Sequence, residues 1–489
     1  MQSSAVLHIA SLHGGGVDRH LRDIARSVAR PHLFWHAGPR AEVLELPAAR
    51  RFLPLDPRAV RAPETLDAFL RHARVGVVHV HSMTRAARER ATGLAQRLGL
   101  ATIATLHDVL FLRAEGLDPG APREADAAWL AQTAAFLRNA SVVIAPSEYL
   151  AALARDHVPG LDVAVIPNGS PPPADDARPL SPRAEFAARR PRDVVAMLGT
   201  IGPHKGSAVL DQLGPILAAR GIAIVVIGYL DAQVPPGWRN AGVFVHGAWQ
   251  DADVPALLRA YGARLGLFPN RVPESFSYAL SDLWDAGVPV LAPPEGALGE
   301  RVRAHGGGWL LPPGAGAEHI AAAIVEKLDR ANAAELARVE SLLGRRDPAR
   351  VPRLDDMARS LDALYARFAI DPHAPDAEAP AVQSLLAKNL DGSLFREEVA
   401  RLADELVQLR EGLEAERVKA REYETESRAW IAKLEADVAA LDAELTREVE
   451  ARRRFDEENR QLRDNKAALD LLPAILRRYL LRKARRARG

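Results

Sequence analysis

The stretch MLGTIGPHKG, residues 197–206, decides the fold. The apolar run Val194 to Leu198 stops at Gly199, two more glycines and Pro203 follow, and Lys205 stands at the mouth of an amphipathic, helix-patterned segment. A strand that passes through a glycine-rich turn into a helix is the repeating unit of a parallel α/β sheet. Free N–H groups and the helix dipole favour negative charge at such a mouth. A lysine there is unfavourable to the dipole by itself, so a bound anion explains it better than stability does. The spacing matches neither a Walker A loop nor a GxGxxG fingerprint.

The same rhythm runs outward in both directions. Before this stretch the strand candidates are AVLHIA (5–10), VGVVHV (75–80), ATIATL (101–106), SVVIA (141–145) and VAVIP (163–167), with helical patterns between, for example at 84–98 and 123–138. After the proline-rich segment GSPPPADDARPLSPR the alternation restarts with DVVAML (193–198), IAIVVIG (222–228), VFVHG (243–247), RLGLF (264–268) and VPVLA (288–292). Two such series predict two Rossmann-like α/β domains, residues 1–185 and 186–370, joined near 170–190.

From 371 the composition changes. DPHAPDAEAP opens a proline-stiffened linker, 371–385. Over 386–470 a seven-residue lattice from Val399 to Leu469 carries mostly apolar residues, interrupted at Ser427 and Glu448. Companion positions three and then four places on predict a coiled coil with a drifting seam, hence a homo-oligomer. A single solvated helix is the alternative. The tail, 471–489, holds seven Arg/Lys and no acid, with Leu472, Ile475, Leu476, Tyr479 and Leu480 at helical spacing. A basic amphipathic helix fits an anionic membrane surface. Nucleic acid is the competing anion, but the chain has no aromatic platform or nucleic-acid module to support it.

With 489 residues, 64 Lys+Arg against 63 Asp+Glu and no cysteine, the chain has no bulk charge for nucleic acid and no means for disulfides, thiolate catalysis or zinc–sulfur sites. No basic leader and no membrane-length apolar run is visible, so the expected location is cytoplasmic, peripheral at the inner face of the membrane if the tail docks.

Ligands of doubly wound sheets sit beyond the carboxyl ends of the strands. Four groups fall there. HGGGVDRH (13–20) offers Gly15 and Gly16 for close backbone approach, although a plain tight turn would read the same way. TLHDV places His107 beside Asp108 at a strand end. Lys205 is the third. FPNRVPESFSYALSDLWDAGVPVLA (268–292) puts Glu274 at a helix start and Asp282 just over two turns later, able to face the same side.

In order and spacing, the segments GGGVDRH, TLHD, APSEYL, VIPNG, LGTIGPHKG, VIG, HGAW, PESFSYALSD, AGVPVLA and GALGERVR resemble the retaining glycosyltransferases of the GT-B fold, of the family 4 (glycosyl transferases group 1) type. The resemblance spans about 370 residues. It implies a nucleotide-sugar donor held between two domains, with Lys205 on the diphosphate, Glu274 on the donor sugar and Asp282 on the ribose. It implies further that the N–H groups of Phe276, Ser277 and Tyr278 join the phosphate cradle, and that Gly15, Gly16, Thr200, Gly202 and His204 complete the donor site. His107 would orient the acceptor or polarise a sugar hydroxyl. Two departures stand out. Thr200 occupies a position where the family has arginine, for which His204 or an arginine elsewhere would substitute, and Asp282 replaces a glutamate. The resemblance implies retention, no metal or cofactor, and a glycan or lipid-linked acceptor in surface polysaccharide or lipopolysaccharide synthesis. A non-catalytic GT-B scaffold acting through its coil, and a GT-B nucleotide-sugar epimerase, are the alternative readings.

Overall fold

The computed structural model describes residues 4–370, apart from 11–14, 38–41, 50, 56–62, 113–125, 173–179, 231–235 and 346, together with Glu457. The expected linker, coiled coil and basic tail otherwise lie outside the described residues.

The apolar runs of the first half form one eight-stranded sheet. Its strands are β1 (Ala5–Ala10), β2 (His32–Ala37), β3 (Glu42–Leu46), β4 (Arg51–Leu55), β5 (Val75–Val80), β6 (Ala101–Thr105), β7 (Val142–Ala145) and β8 (Val163–Val165), in the order β4-β3-β2-β1-β5-β6-β7-β8. The helices α1 (Gly16–Ser27), α2 (Pro63–His72), α3 (Arg85–Leu98), α4 (Asp126–Asn139) and α5 (Glu148–His157) intervene. From β2 to β8 through β1 the pairing is parallel, whereas β2, β3 and β4 pair antiparallel.

Strands β2 to β4 are absent from the sequence expectation, and the reason is local. Histidines break the apolar run of HLFWHA, and EVLEL and RFLPL carry acids and a proline. β4 is the edge strand, where a proline is tolerated because one side of the backbone needs no partner. β2 and β3 are paired on both sides, and their polar side chains are satisfied by one another and by β1, His36 with Glu45 at 2.8 Å and His32 with His8 at 2.9 Å.

The second half forms a seven-stranded sheet in the order β11-β12-β10-β9-β13-β14-β15. Its strands are β9 (Asp193–Ile201), β10 (Ile222–Leu230), β11 (Gly237–Trp238), β12 (Val243–Val245), β13 (Ala263–Leu267), β14 (Val290–Ala292) and β15 (Gly308–Leu310). The helices are α6 (Ala184–Arg189), α7 (Ser207–Ala218), α8 (Val254–Tyr261), α9 (Tyr278–Asp285), α10 (Gly296–His305), α11 (Ala317–Leu328) and α12 (Ala333–Gly344). Alternate residues of β9 feed the two faces, Val194, Ala196 and Leu198 on one and Val195 and Met197 on the other. That is why the strands read as unbroken apolar runs: both faces are covered by helices.

The last helix corrects the domain division. Helix α13 (Leu354–Phe368) lies within residues 186–370, the span expected for the second domain, yet Leu354, Met357, Leu361 and Tyr365 pack with Val6, Val77, Ile103 and Ile144 of the first. Helical spacing shows that a face is buried but not against which sheet. The chain therefore crosses between the domains twice, and the crossings are bonded to each other. Ser170 N–H donates to Pro352 O at 2.8 Å, and Leu354 N–H donates to Ser170 O at 3.1 Å. Gly169 is required there, since a Cβ would stand 2.6 Å from Leu354 Cα.

Candidate functional site

The carboxyl ends of the two sheets face each other across a cleft of about 680 Å³. That volume is within the roughly 300–1,000 Å³ range of small-molecule sites. One wall comes from the β1–α1 turn and the end of β6, with Gly15, Gly16, Arg19, His107 and Asp108. The other comes from the β9–α7 and β13–α9 loops, with Thr200, His204, Lys205, Glu274, Ser277, Tyr278 and Asp282.

Lys205 closes a 3-10 turn, Pro203–Lys205, between β9 and α7. Gly206, at φ 82°, lets the chain turn into α7, and its Cα sits so close to the next loop that a Cβ would meet Pro269 O at 2.2 Å. The carbonyl of His204 accepts from Arg271 N–H at 3.0 Å and Val272 N–H at 3.1 Å. This stitching brings the lysine loop onto the glutamate loop. Lys205 Nζ lies 3.3 Å from Glu274 Oε1, and Asn270 Nδ2 donates to the same oxygen at 2.9 Å. Gly202 does not line the cleft; its carbonyl accepts from Lys205 N–H at 2.9 Å and so shapes the turn from behind.

The β13–α9 loop is strained at one point. Ser277 caps α9 with φ 72° and ψ 95°, and its Oγ accepts from Leu280 N–H at 3.3 Å. A left-handed conformation in a residue with a Cβ costs about 1–2 kcal/mol. The guanidinium of buried Arg301 holds it there. Arg301 Nη1 donates to the carbonyls of Phe276 and Ser277, each at 3.0 Å, and Nη2 donates to Ser281 Oγ at 2.8 Å and Arg350 O at 3.1 Å. With those carbonyls turned back toward Arg301, the N–H groups of Phe276, Ser277 and Tyr278 make no hydrogen bond among the described residues. Burial pushes the Arg301 pKa down to about 9, which still leaves it charged at neutral pH.

Asp282 lines the cleft with Glu274, an arrangement their spacing allows, and it has a partner that the sequence does not reveal. Arg19, from the first domain, grips it with both Nη atoms at 2.8 and 2.9 Å, lies 3.6 Å from Asp251, and stacks 4.3 Å over the Tyr278 ring. Burial raises the Asp282 carboxyl pKa and the arginine pulls it back; the same pair raises the arginine. Arg19 sits within the quoted GGGVDRH motif, where its charge looks like that of any solvated arginine. Thr200 is exposed to the cleft and puts no charge there.

The domains also meet directly at this loop. Ser275 Oγ donates to His107 O at 2.5 Å, and Ser147 Oγ donates to Ser275 O at 2.7 Å. The Glu300 carboxylate accepts from the N–H groups of Glu148 at 3.2 Å and Tyr149 at 2.5 Å, which caps α5 from the other domain. Asp108 accepts from Leu110 N–H at 2.7 Å, and burial raises its pKa. Burial holds His107 down at about 4, so its ring is neutral.

Two histidine trios, His8–His79–His81 and His20–His81–His107, each bring one nitrogen per ring within 4.8 Å. The nitrogens that join His8, His81 and His107 are already hydrogen-bonded to one another, and His20 Nε2 is buried without a partner.

Family models account for both halves of this arrangement. Residues 14–172 match Glycosyltransferase Family 4, and residues 192–330 match Glycosyl transferases group 1, together more than half of the chain. No curated protein matches the chain by sequence. Among solved structures, sucrose-phosphate synthase (tll1590) from Thermosynechococcus elongatus is similar at 19% identity and a TM-score of 0.55, covering 74% of this chain and 98% of that one. Anabaena Alr3699/HepE in complex with UDP and glucose is similar at 16% identity and a TM-score of 0.53, covering 74% and 100%. The catalytic domain of Starch Synthase IV from Arabidopsis thaliana, bound to ADP and acarbose, is similar at 12% identity and a TM-score of 0.50, covering 75% and 99%. At these identities the likeness speaks for the fold, while the two family models speak for the sequence. The chain belongs to the GT-B glycosyltransferases, with a family 4 first domain and a group 1 second domain.

Proposed function

We propose that the cleft transfers a sugar from a nucleotide-sugar to a hydroxyl of a glycan or lipid-linked acceptor, with retention at the anomeric carbon. Nucleotide-sugar donors suit the enzyme class, and solved relatives carry UDP, UDP-glucose or ADP. The observation that carries the reading is the Lys205–Glu274 pair at 3.3 Å, set beside unpaired backbone donors and opposite His107. A cation and free N–H groups at one end of a cleft suit a diphosphate, and an adjacent carboxylate suits sugar hydroxyls.

In the reaction the bond from the anomeric carbon to the phosphate oxygen breaks and a bond to the acceptor oxygen forms on the same face. The acceptor's proton passes to the leaving phosphate oxygen. Charge grows on the diphosphate as the bond breaks, so Lys205 and the N–H groups of Phe276, Ser277 and Tyr278 favour the transition state over the ground state. Written this way the step uses no metal or cofactor. Glu274 would hold the donor sugar and Asp282 the ribose, which requires Asp282 to leave Arg19. The guanidinium so released stands in the cleft where Thr200 leaves the diphosphate site short of charge. Contact between the domains through Ser275 and Ser147 keeps water from the donor.

The coil from Val399 to Leu469 would join copies of the chain and the basic tail would dock on an anionic membrane from the cytoplasmic side, which fits synthesis of surface glycans. Among the described residues no helix is long and apolar enough to cross a membrane. The test is a thermal-shift panel of UDP-, GDP-, ADP- and CDP-sugars, followed by turnover of the stabilising donor. A saturating donor should stabilise by mass action, about 2.7 kcal/mol at a hundred times its Kd. Lys205→Ala and Glu274→Ala should each keep the fold and lose turnover by roughly 10²–10³. Silence across the panel would favour a non-catalytic scaffold.

A further inference from the structure

Six of the first domain's histidines cluster at and behind the cleft; four of them form a single file, and His79 and His20 stand beside it, the His20 ring 4.9 Å from that of His107. His32 Nε2 lies 3.1 Å from Val28 O, His32 Nδ1 lies 2.9 Å from His8 Nε2, His8 Nδ1 lies 2.9 Å from His81 Nε2, and His81 Nδ1 lies 3.1 Å from His107 Nε2. The file runs from the end of α1 through β2, β1 and the end of β5 to the end of β6. His8, His81 and His32 are buried, at 0%, 2% and 8% exposure. Burial first, then repulsion between the rings, holds His8 and His81 well below the usual histidine pKa, and burial lowers His32 and His107 too.

A neutral imidazole has one N–H donor and one bare acceptor nitrogen. Which is which follows from its hydrogen bonds. A backbone carbonyl can only accept. His32 must therefore carry its proton on Nε2, leaving Nδ1 to accept from His8 Nε2–H. By the same rule His8 Nδ1 accepts from His81 Nε2–H, and His81 Nδ1 accepts from His107 Nε2–H. The file has one polarity, imposed at the Val28 end. His107 is left with a bare Nδ1. That nitrogen has no partner among the described residues and is not buried, and His107 lines the cleft.

We propose that His32, His8 and His81 are positioning residues that fix the tautomer of His107, so that its Nδ1 meets the substrate as a hydrogen-bond acceptor and takes a sugar or acceptor hydroxyl. The proposal rests on the reading of this cleft as the transfer site. It makes the site selective for a ligand group that can donate. His79 stands beside the file, its ring 4.0 Å from that of His81, and is bonded instead to Tyr365 and Thr105, both at 2.7 Å. It leaves the polarity untouched.

The test uses the full chain labelled with ¹⁵N-histidine. Long-range proton–nitrogen spectra report the tautomer of each ring, and the His107 signals are those lost in His107→Asn. The wild type should show His107, His81, His8 and His32 all protonated at Nε2, with His107 Nδ1 shifting when UDP-glucose is added. His32→Leu removes the anchor, so the reversed polarity becomes allowed and His107 should show a second, Nδ1-protonated form. UDP-glucose should then bind about tenfold more weakly, the effect of one mismatched polar contact. His32→Gln keeps a donor for Val28 and an acceptor for His8, and should restore both readouts. Should His32→Leu fail to fold, His8→Leu breaks the file one ring nearer the cleft with the same expectation. A wild-type His107 protonated at Nδ1, or a single Nε2–H form in the Leu variants, overturns the relay. A tautomer that responds while UDP-glucose affinity does not upholds the relay and refutes His107 as a substrate contact.

Discussion

Removing the Arg301 side chain should disable the donor site from behind. Its guanidinium spans the carbonyls of Phe276, Ser277 and Arg350 and the hydroxyl of Ser281, over distances of 2.8–3.1 Å, and supports the cleft wall from behind without lining the cleft itself. Arg301→Met keeps much of the packing against Phe276 and Trp284, whose rings lie 4.4 and 5.2 Å from the guanidinium carbon. It strands two buried carbonyls and one part-buried one, each buried one costing about 1–3 kcal/mol. Relief of the buried charge returns part of that, so the net loss of stability should be about 3–5 kcal/mol. The loop has its own reason to move, because the left-handed Ser277 stores about 1–2 kcal/mol that Arg301 no longer opposes. A shift of about 1 Å in the Phe276–Tyr278 N–H groups should cost roughly 10² in kcat/KM. Urea unfolding gives the first number, and donor turnover well below the unfolding midpoint gives the second. A Met variant that loses stability but turns over at the wild-type rate would show that the loop holds its shape without Arg301.

Three further outcomes are expected. Ser277→Gly keeps the helix start at a cost of a few tenths of a kcal/mol and removes the left-handed strain, so equilibrium unfolding should show a gain of about 1 kcal/mol. Acid should destabilise the first domain. His8, His20, His79, His81 and His107 have folded pKa values below their unfolded 6.5, so the unfolded chain takes up protons first and stability falls as pH drops through 6.5. The slope is about 1.4 kcal/mol per pH unit for each histidine that titrates on unfolding. Asp23, raised by burial from 3.8 to about 6, works in the opposite sense between those values, and unfolding midpoints at pH 7.5, 6.5 and 5.5 will show the net. Truncation after residue 370 keeps α13 and the Ile370 N–H bond to Gly76 O at 3.1 Å. In light scattering it should be monomeric with turnover intact on a soluble acceptor, and a retained oligomer would remove that role from the coil.

What could be read from the sequence was whatever depends on chain neighbours. The strands flanking Lys205 and Glu274 announce themselves because both faces are covered, and Gly206 of the β9–α7 turn marks a close backbone approach that a side chain would block. Contacts between distant segments leave no such mark. Arg19 and Asp282 are 263 positions apart, and nothing in VDRH says that its arginine will face an acid in the other domain. Arg301 lies in a helix whose pattern, GERVRAH, looks amphipathic and solvated; only the structure shows that this arginine points inward. The histidines are legible one at a time, as HVH in β5 or TLHD after β6. Their common file needs the parallel register of β1, β2 and β5 to bring them together.

The paired crossings at Ser170 and Pro352–Leu354 have a mechanical consequence. One linker would let the domains swivel about any axis, as a ball joint does. Two linkers bonded side by side make a strap, which bends across its width far more readily than it twists or shears. The loops bearing Lys205 and Glu274 would then approach His107 along one arc, and the strap sets where that arc ends. Gly169 lies at its root, pressed against Leu354, so a single methyl group there would tilt the arc while touching neither the donor nor the acceptor.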